Sequence, residues 1–220
     1  MRQADTAMYE AKLERGSSYR FFNPSMNQKI VKQVELENEA RIALKEQQFF
    51  LALQPQIELA SKRLTGFEAL LRWKHPQRGL VPPGDFLPML ENTAMMSELD
   101  FWVMEKAIEL LSQLAANGYR NVKMAINLSA AQFANSALLP YLMELIQLYK
   151  VDARNIELEL TETVLVADIE RAVEVIQQIR ALGCKIAVDD FGTGYSSLSY
   201  LKMIPSDIIK IDRSFIAGML

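Results

Sequence analysis

Apolar and polar positions follow one rhythm up to about residue 75 and a different one after residue 96. The first part contains two apolar runs with alternating polar positions, "QFFLALQPQIEL" and "LTGFEALLRW", which are joined by "ASKR". Alternation with a period of two residues is typical of strands, and a short polar connection is typical of a hairpin. These residues therefore predict an antiparallel pair of strands.

After residue 96, segments with helical apolar spacing alternate with short, nearly continuous apolar runs. The helical segments are 97–118, 138–149 and 168–183, and the apolar runs are 122–127, 156–160, 184–189 and 207–212. We expect Ser97 to cap the first of these helices and a further short helix near Leu198. The alternation predicts a parallel sheet with both faces covered. No glycine-rich phosphate loop follows an early strand, so a (β/α) barrel is favoured over a doubly wound sheet.

Polar residues lie at or near the carboxyl ends of five successive predicted strands. They are Glu68, Asn127, Glu159, Asp189, Asp190, Lys210 and Asp212. Barrel enzymes assemble their sites at this end of the sheet. Converging carboxylates repel each other unless cations are present, and oxygen donors favour magnesium, manganese or calcium. Two adjacent aspartates could serve a pair of metal ions, as in attack on phosphate esters.

Several of the candidate polar residues also have a purely structural interpretation. Asp189 and Asp190 precede Gly-Thr-Gly and could cap a turn, and Asn127 could cap the following helix. Glu162 could be a first-turn acid favoured by the helix dipole. Arg72 could be the ion-pair partner of Glu68. The apolar neighbours of Glu68 and Lys210 favour function, because buried charged residues are rare unless they are paired or bind a ligand.

Composition and charge narrow the classes of partner and chemistry. Of the 220 residues, half are apolar, and the net charge of −3 is spread without a basic stripe. We therefore expect a small ligand and no nucleic acid. Cys184 and His75 are the sole cysteine and histidine, which excludes a disulfide within the chain and zinc sites built from several Cys or His ligands. Any Ser-His-Asp nucleophile would have to use His75, which is expected in a loop and is assigned no chemistry. Without a signal peptide or a long apolar run, we expect a cytoplasmic domain, whose parent protein could be membrane-anchored.

Five ordered motifs resemble one known family. "EALLRW", "NLSAAQF", "ELTET", "DDFGTGYSSLSYL" and "KIDRSF" are similar to those of the EAL domain, the bacterial phosphodiesterase of cyclic di-GMP. The resemblance runs from about residue 30 to the end. Residues 2–22 resemble the closing helix and strand of a GGDEF (diguanylate cyclase) domain. We therefore expect a GGDEF remnant at 1–24, a linker helix at 25–47 and the EAL domain at 48–220.

The resemblance implies roles for individual residues. Two magnesium or manganese ions would be bound by Glu68, Asn127, Glu159, Asp189 and Asp190, with calcium as an inhibitor. Lys210 would position the attacking water and offset developing charge, Asp190 would also act in catalysis, and Glu162 would anchor the "DFGTGYSS" loop. Contacts to the dinucleotide would come from Gln54, Leu70, Arg72 and Asp212. The implied reaction converts cyclic di-GMP to linear pGpG, in a homodimer with an upstream GGDEF domain in the parent protein.

The sequence departs from the family in strand number. The resemblance implies a TIM-like barrel with an antiparallel first strand, but about six of its eight strands are found, so the last two strand–helix units are expected to be lacking. An open barrel would expose apolar surface and favour association. One alternative is therefore an inactive cyclic di-GMP-binding or protein-interaction module. Another is a sugar hydrolase using two carboxylates, which would give Asn127 and Lys210 no role.

Overall fold

The computed structural model of the protein describes residues 21, 24–91, 93–192 and 203–217. Most of the predicted GGDEF remnant and the predicted helix near Leu198 lie outside these residues. The other predicted elements can be compared directly with the structure.

The predicted hairpin is confirmed. Strand β1 (Phe49–Ile57) pairs antiparallel with β2 (Leu64–His75), with Gln54 opposite Glu68. Strand β2 continues two residues further than predicted and pairs with a short strand, β3 (Gly79–Val81).

The expectation of a loop at His75 was wrong. His75 is the last residue of β2 and is buried. Its Nδ1 accepts hydrogen bonds from the backbone N–H groups of Gln77 and Arg78 at 3.1 and 3.2 Å. These bonds satisfy Nδ1 of the buried ring and tighten the turn into β3.

The remaining strands form a parallel sheet. They are β4 (Lys123–Asn127), β5 (Ile156–Thr161), β6 (Lys185–Phe191) and β7 (Ile208–Ile211). The strand order is β1-β2-β4-β5-β6-β7, with β3 attached to β2, and every pair along this path after β1-β2 is parallel. This is the predicted α/β sheet with an antiparallel first strand, and within the described residues it is open between β1 and β7.

The described residues also form eight α-helices. They are α1 (Pro24–Lys45), α2 (Pro83–Leu90), α3 (Ala94–Ala116), α4 (Ala130–Phe133), α5 (Leu138–Tyr149), α6 (Glu162–Ala167), α7 (Ile169–Ala181) and α8 (Arg213–Ala217). Helix α5 has the predicted bounds. The predicted cap at Ser97 was wrong, because Thr93 precedes the first residue of α3 and burial of Met95 and Met96 extends the helix toward its amino end. In the described part of the chain, no helix has the length and apolar character needed to cross a membrane.

Helix α1 is part of the packed core. Its Ala40 and Ala43 are fully buried and Leu36 nearly so, and the helix lies against α2 and α3. The adjoining core contains Phe49, Trp73 and Phe86, with ring centroids 5.2 to 5.8 Å apart. The predicted boundary between linker and domain at residue 47 stays a prediction, but α1 contributes buried surface to the sheet's helical layer.

We expect Ala40→Asp to lower the free energy of unfolding by more than about 2 kcal/mol, because it buries an unpaired polar group. Ile42→Asp is the matched control on the same helix, since Ile42 is 53% exposed, and it should change the free energy by less than about 0.5 kcal/mol. Urea denaturation of both variants measures the difference. Equal effects would show that α1 does not pack on the domain.

Candidate active site

The parallel sheet brings polar side chains from five strands together at one end. Glu68 lies opposite Ala125, Asn127 opposite Glu159, and Asp189 opposite Thr161. Because side chains alternate along each strand, Glu68, Asn127, Glu159 and Asp189 all lie on the inner face. Sequence analysis predicted this convergence.

Lys210 on β7 binds three carboxylates at the centre of this group. Its Nζ lies 2.6 Å from Glu159 Oε2, 3.0 Å from Glu68 Oε2 and 3.4 Å from Asp189 Oδ2. Asn127 Nδ2 donates to the other oxygen of Glu68 at 3.0 Å. The cation beside Glu68 is thus Lys210, while the Arg72 guanidinium donates to the backbone oxygen of Leu71 at 2.8 Å. We call Glu68, Asn127, Glu159, Asp189 and Lys210 the carboxylate–lysine cluster.

Burial and charge shift the pKa values within the cluster in different directions. Burial raises the pKa of Glu159 to about 7, although Lys210 acts in the opposite direction. Burial would also raise the pKa of Glu68, but hydrogen bonds from Asn127 and Lys210 outweigh it and lower that pKa. Burial disfavours the charged form of Lys210, yet Glu159 and Glu68 more than compensate and raise its pKa. The ammonium of Lys210 is therefore held in its charged form.

Asp190 has a different backbone from its neighbour Asp189. It has a φ of 52° and lies at an irregularity in the β6-β7 pairing between Val188 and Phe191. Such a bulge interrupts the strict alternation of side chains. Partial desolvation, followed by repulsion from Asp189 and Asp212, raises the pKa of Asp190. The two adjacent aspartates are therefore not equivalent.

Glu162, the first residue of α6, is hydrogen-bonded to the residue that follows β6. It is buried, and its Oε2 accepts a hydrogen bond from the Gly192 N–H at 3.3 Å. Gly192 has a φ of 100° and begins the glycine-rich turn, whose residues 193–202 lie outside the described part of the chain. Glu162 therefore contacts the first residue of this turn, and it also occupies the first turn of a helix.

The predicted substrate residues lie around the cluster. Leu70 and Arg72 share the inner face of β2 with Glu68 and are half-buried, and Gln54 is exposed on β1. Asp212 follows β7 and accepts hydrogen bonds from the backbone N–H and hydroxyl of Ser214, which lower its pKa. Asp212 thus caps the start of α8 in addition to any contact with a ligand.

The cluster fits a hard divalent cation in donor type. All the predicted ligands supply oxygen, and Glu159 Oε1 is a buried oxygen for which the described residues provide no hydrogen bond. Across the described ranges, no three His, Cys, Asp or Glu side chains are gathered as a formed metal site. Lys210 instead supplies positive charge among the carboxylates. Metal binding would therefore require Lys210 to exchange partners.

The fold and the site together define a barrel-type α/β domain with acid and lysine residues at the carboxyl ends of its strands. The model of the EAL domain family matches residues 37–220, and the chain belongs to this family. Membership of the EAL family does not support the alternative that the chain is a sugar hydrolase.

Sequence matches to known proteins cover most of this chain. It is 39% identical over 216 residues to the bifunctional diguanylate cyclase/cyclic di-GMP phosphodiesterase MucR of Pseudomonas aeruginosa, covering 98% of this chain and 32% of that protein. It is 38% identical to the cyclic di-GMP phosphodiesterase PdeR of Escherichia coli, over 98% of this chain and 32% of PdeR. The chain thus spans about a third of the length of these relatives.

Solved structures show the same fold. The PaMucR phosphodiesterase in complex with cyclic di-GMP superposes with a TM-score of 0.81 at 37% identity, covering 84% of this chain and 75% of that one. The EAL domain of FimX from Pseudomonas aeruginosa, bound to cyclic di-GMP, gives a TM-score of 0.76 at 26% identity, covering 84% and 74%. The chain therefore has the TIM-like architecture of EAL domains.

We expect Lys210→Met to lower the free energy of unfolding by about 3 kcal/mol in metal-free buffer, because it leaves buried carboxylates without their cation. Manganese should then stabilise this variant more than the wild type, since no ammonium competes for the carboxylates. Denaturant titrations with and without Mn²⁺ measure both effects. Lys106→Met is the control, because Lys106 pairs with Glu109 at the surface and should cost less than about 1 kcal/mol. An equal response of both variants to manganese would contradict the expectation.

Gly192→Ala should destabilise the domain through two separable effects. A Cβ at Gly192 would lie 2.6 Å from the ring of Phe215, and the positive φ adds about 1–2 kcal/mol for any residue with a side chain. In the Gly192→Ala/Phe215→Ala double variant, the loss of stability due to the ring contact should disappear, and the loss due to the backbone should remain. Gly84→Ala, where a Cβ meets nothing within 4 Å, is the control. Urea denaturation of the single and double variants measures their free energies of unfolding. If the effects of Gly192→Ala and Phe215→Ala were strictly additive, a contact between the new methyl group and the ring would be excluded.

Proposed function

We propose that this domain hydrolyses cyclic di-GMP to linear pGpG in a reaction that depends on magnesium or manganese. The observation that carries the proposal is the contact of Lys210 with Glu68, Glu159 and Asp189 at the carboxyl ends of the strands. The names of MucR and PdeR support the same substrate. The charged groups match a reaction in which negative charge accumulates on a phosphate.

The carboxylate–lysine cluster and Asp190 would together provide metal binding and charge stabilisation. The residues that would hold the metal ions are Glu68, Asn127, Glu159, Asp189 and Asp190. When bound, divalent ions make a water nucleophilic and polarise the phosphate oxygens. Lys210 has a raised pKa and so acts as a hydrogen-bond donor and positive charge, not as a general base. It would orient the attacking water and offset charge on the phosphate.

The walls of the site would hold the dinucleotide. Arg72 and Leu70 share the inner face of β2 with Glu68, and Gln54 lies opposite Glu68 on β1. A guanidinium suits a phosphate and an aliphatic side chain suits a base face. Asp212 would contribute a polar contact near β7. Glu162 would hold the turn that begins at Gly192 through its hydrogen bond to that residue.

A binding module without turnover is the second candidate. The observation that favours it is the open sheet of the described residues, whose edge strand β7 exposes Ile209 and Ile211 by 45% and 61%. An uncovered edge favours pairing with another chain. Under this alternative the domain binds cyclic di-GMP or a protein partner, such as a second copy or an upstream GGDEF domain, and leaves the phosphodiester intact.

The test is incubation of the purified chain with cyclic di-GMP, with Mg²⁺, Mn²⁺, Ca²⁺ or EDTA, followed by chromatography of pGpG. We expect product with Mg²⁺ or Mn²⁺ and none with Ca²⁺ or EDTA. Glu68→Gln should lower the rate by at least about a hundredfold, the scale of losing a key electrostatic contact in an active site. Glu98→Gln, at an exposed acid on α3, should keep the wild-type rate.

Calorimetric titration of cyclic di-GMP in Ca²⁺ separates the two candidates. Binding together with metal-dependent turnover supports the phosphodiesterase. Binding by a folded chain with no product in any metal supports the module. Equal rates for wild type and Glu68→Gln would exclude the cluster as the reacting centre.

A further inference from the structure

Helix α3 carries a buried acid, Asp100, that is not part of the carboxylate–lysine cluster. Asp100 is 7% exposed and lies among the buried residues Met96, Leu99, Val103 and Met104. Burial raises its pKa to about 7, although a hydrogen bond from Ser129 acts in the opposite direction. A carboxyl group in the apolar face of a helix costs stability unless it has a partner. The sequence signal is an acid at a core position of "ELDFWV", on a helix and away from the polar residues at the strand ends.

The partner of Asp100 is the residue that begins helix α4. Ser129 Oγ donates to Asp100 Oδ2 at 2.5 Å and accepts from the backbone N–H of Gln132 at 3.1 Å. A hydroxyl has one proton and two lone pairs, so donation to Asp100 sets the direction in which a lone pair faces Gln132. Asp100 therefore controls the geometry of the helix cap and does not merely touch it.

The helix cap at Ser129 follows Asn127 closely along the chain. Strand β4 ends at Asn127, the N–H of Leu128 donates to the Glu159 backbone oxygen at 2.9 Å, and Ser129 follows. Asn127 in turn donates to Glu68 at 3.0 Å. The carboxamide of Asn127 thus belongs to a residue two positions before the serine that Asp100 holds.

Helix α4 cannot fix this segment by itself. It has four residues, far fewer than a helix needs for independent stability. Two other contacts hold the same region: Asn135 Nδ2 donates to Ser97 Oγ at 3.5 Å, and Arg171 donates to the Ala134 oxygen at 2.8 Å. Both lie beyond the carboxyl end of α4. The Asp100–Ser129 bond is at its amino end, next to Asn127.

We propose that Asp100 is a positioning residue for Asn127 and acts through the Ser129 hydroxyl. The proposal rests on the proposed function, because Asn127 matters there as a metal ligand. Loss of the bond would free the start of α4 and displace the Asn127 carboxamide from Glu68. The defect would appear in metal affinity and turnover, while the substrate-binding wall on β1 and β2 would remain in place.

The experiment compares Asp100→Leu, Asp100→Asn, Ser129→Ala and the Asp100→Leu/Ser129→Ala double variant. Loss of an outer contact to a metal ligand typically weakens metal affinity by about tenfold to a hundredfold, and we expect such a loss of Mn²⁺ affinity for Asp100→Leu and Ser129→Ala. The double variant should be no worse than either single one. Asp100→Asn keeps one acceptor oxygen for the Ser129 hydroxyl and should retain manganese affinity close to that of the wild type. For cyclic di-GMP hydrolysis, kcat should fall with KM little changed.

Amide hydrogen exchange gives a readout that does not depend on activity. Leu128 and Gln132 should exchange faster in Asp100→Leu and Ser129→Ala, whereas amides of β1 and β2 should keep their protection. Uniformly faster exchange with unchanged manganese affinity would overturn the proposal and leave Asp100 as a packing residue. If Asp100→Leu does not fold, Ser129→Ala and Asp100→Asn decide the result.

Failure of the proposed function is distinguishable from failure of this inference. A wild-type chain that binds manganese without hydrolysing cyclic di-GMP would refute hydrolysis, and the affinity series would still test Asp100. A wild-type chain that binds no manganese would refute the role of Asn127 as a ligand and this proposal with it. In that case, faster amide exchange confined to the start of α4 in the variants would show that the Asp100–Ser129 bond only caps the helix.

Discussion

The balance of charge around the Lys210 ammonium is the constraint on which the site depends. Glu159 has no exposed side-chain surface and shares the ammonium with Glu68 and Asp189. Three carboxylates could not remain ionised so close together without positive charge between them. Lys210 meets this requirement in the structure, and a divalent cation could meet it during the proposed reaction. The lysine therefore links the stability of the domain to the proposed chemistry.

The scaffold delivers these charges through strand register and not through sequence proximity. Lys210 and Glu68 are 142 residues apart, yet they meet because β2, β4, β5, β6 and β7 run parallel and end at the same edge. Helices such as α3 and α7 pack on the outer faces of these strands, while α1 packs its buried alanines against α2 and α3. A rigid apolar layer of this kind allows a costly polar group to be maintained on the opposite face. The site and the core thus use alternate residues of the same strands.

A second polar contact supports the first from outside the sheet. The Asp100–Ser129 bond crosses from α3 to the segment that directly follows β4, and Asn127, the last residue of β4, donates to Glu68. Ligand side chains are commonly held by such outer contacts, since a carboxamide at a strand end has several rotamers. Helix α3 thereby has two roles, one as apolar cover for the sheet and one as an anchor for the site.

The sequence by itself determined the hairpin, the alternation of strands and helices and the polar residues at strand ends, because these depend on periodicity within short segments. It also indicated the family, since the five motifs are local. Tertiary structure decided which cation stands beside Glu68, because Lys210 and Arg72 were equally available from the pattern. It likewise decided that His75 closes β2, that α3 starts before Ser97, and that Asp100 meets Ser129. Each of these depends on contacts or burial created by residues distant in the chain, which no local pattern encodes.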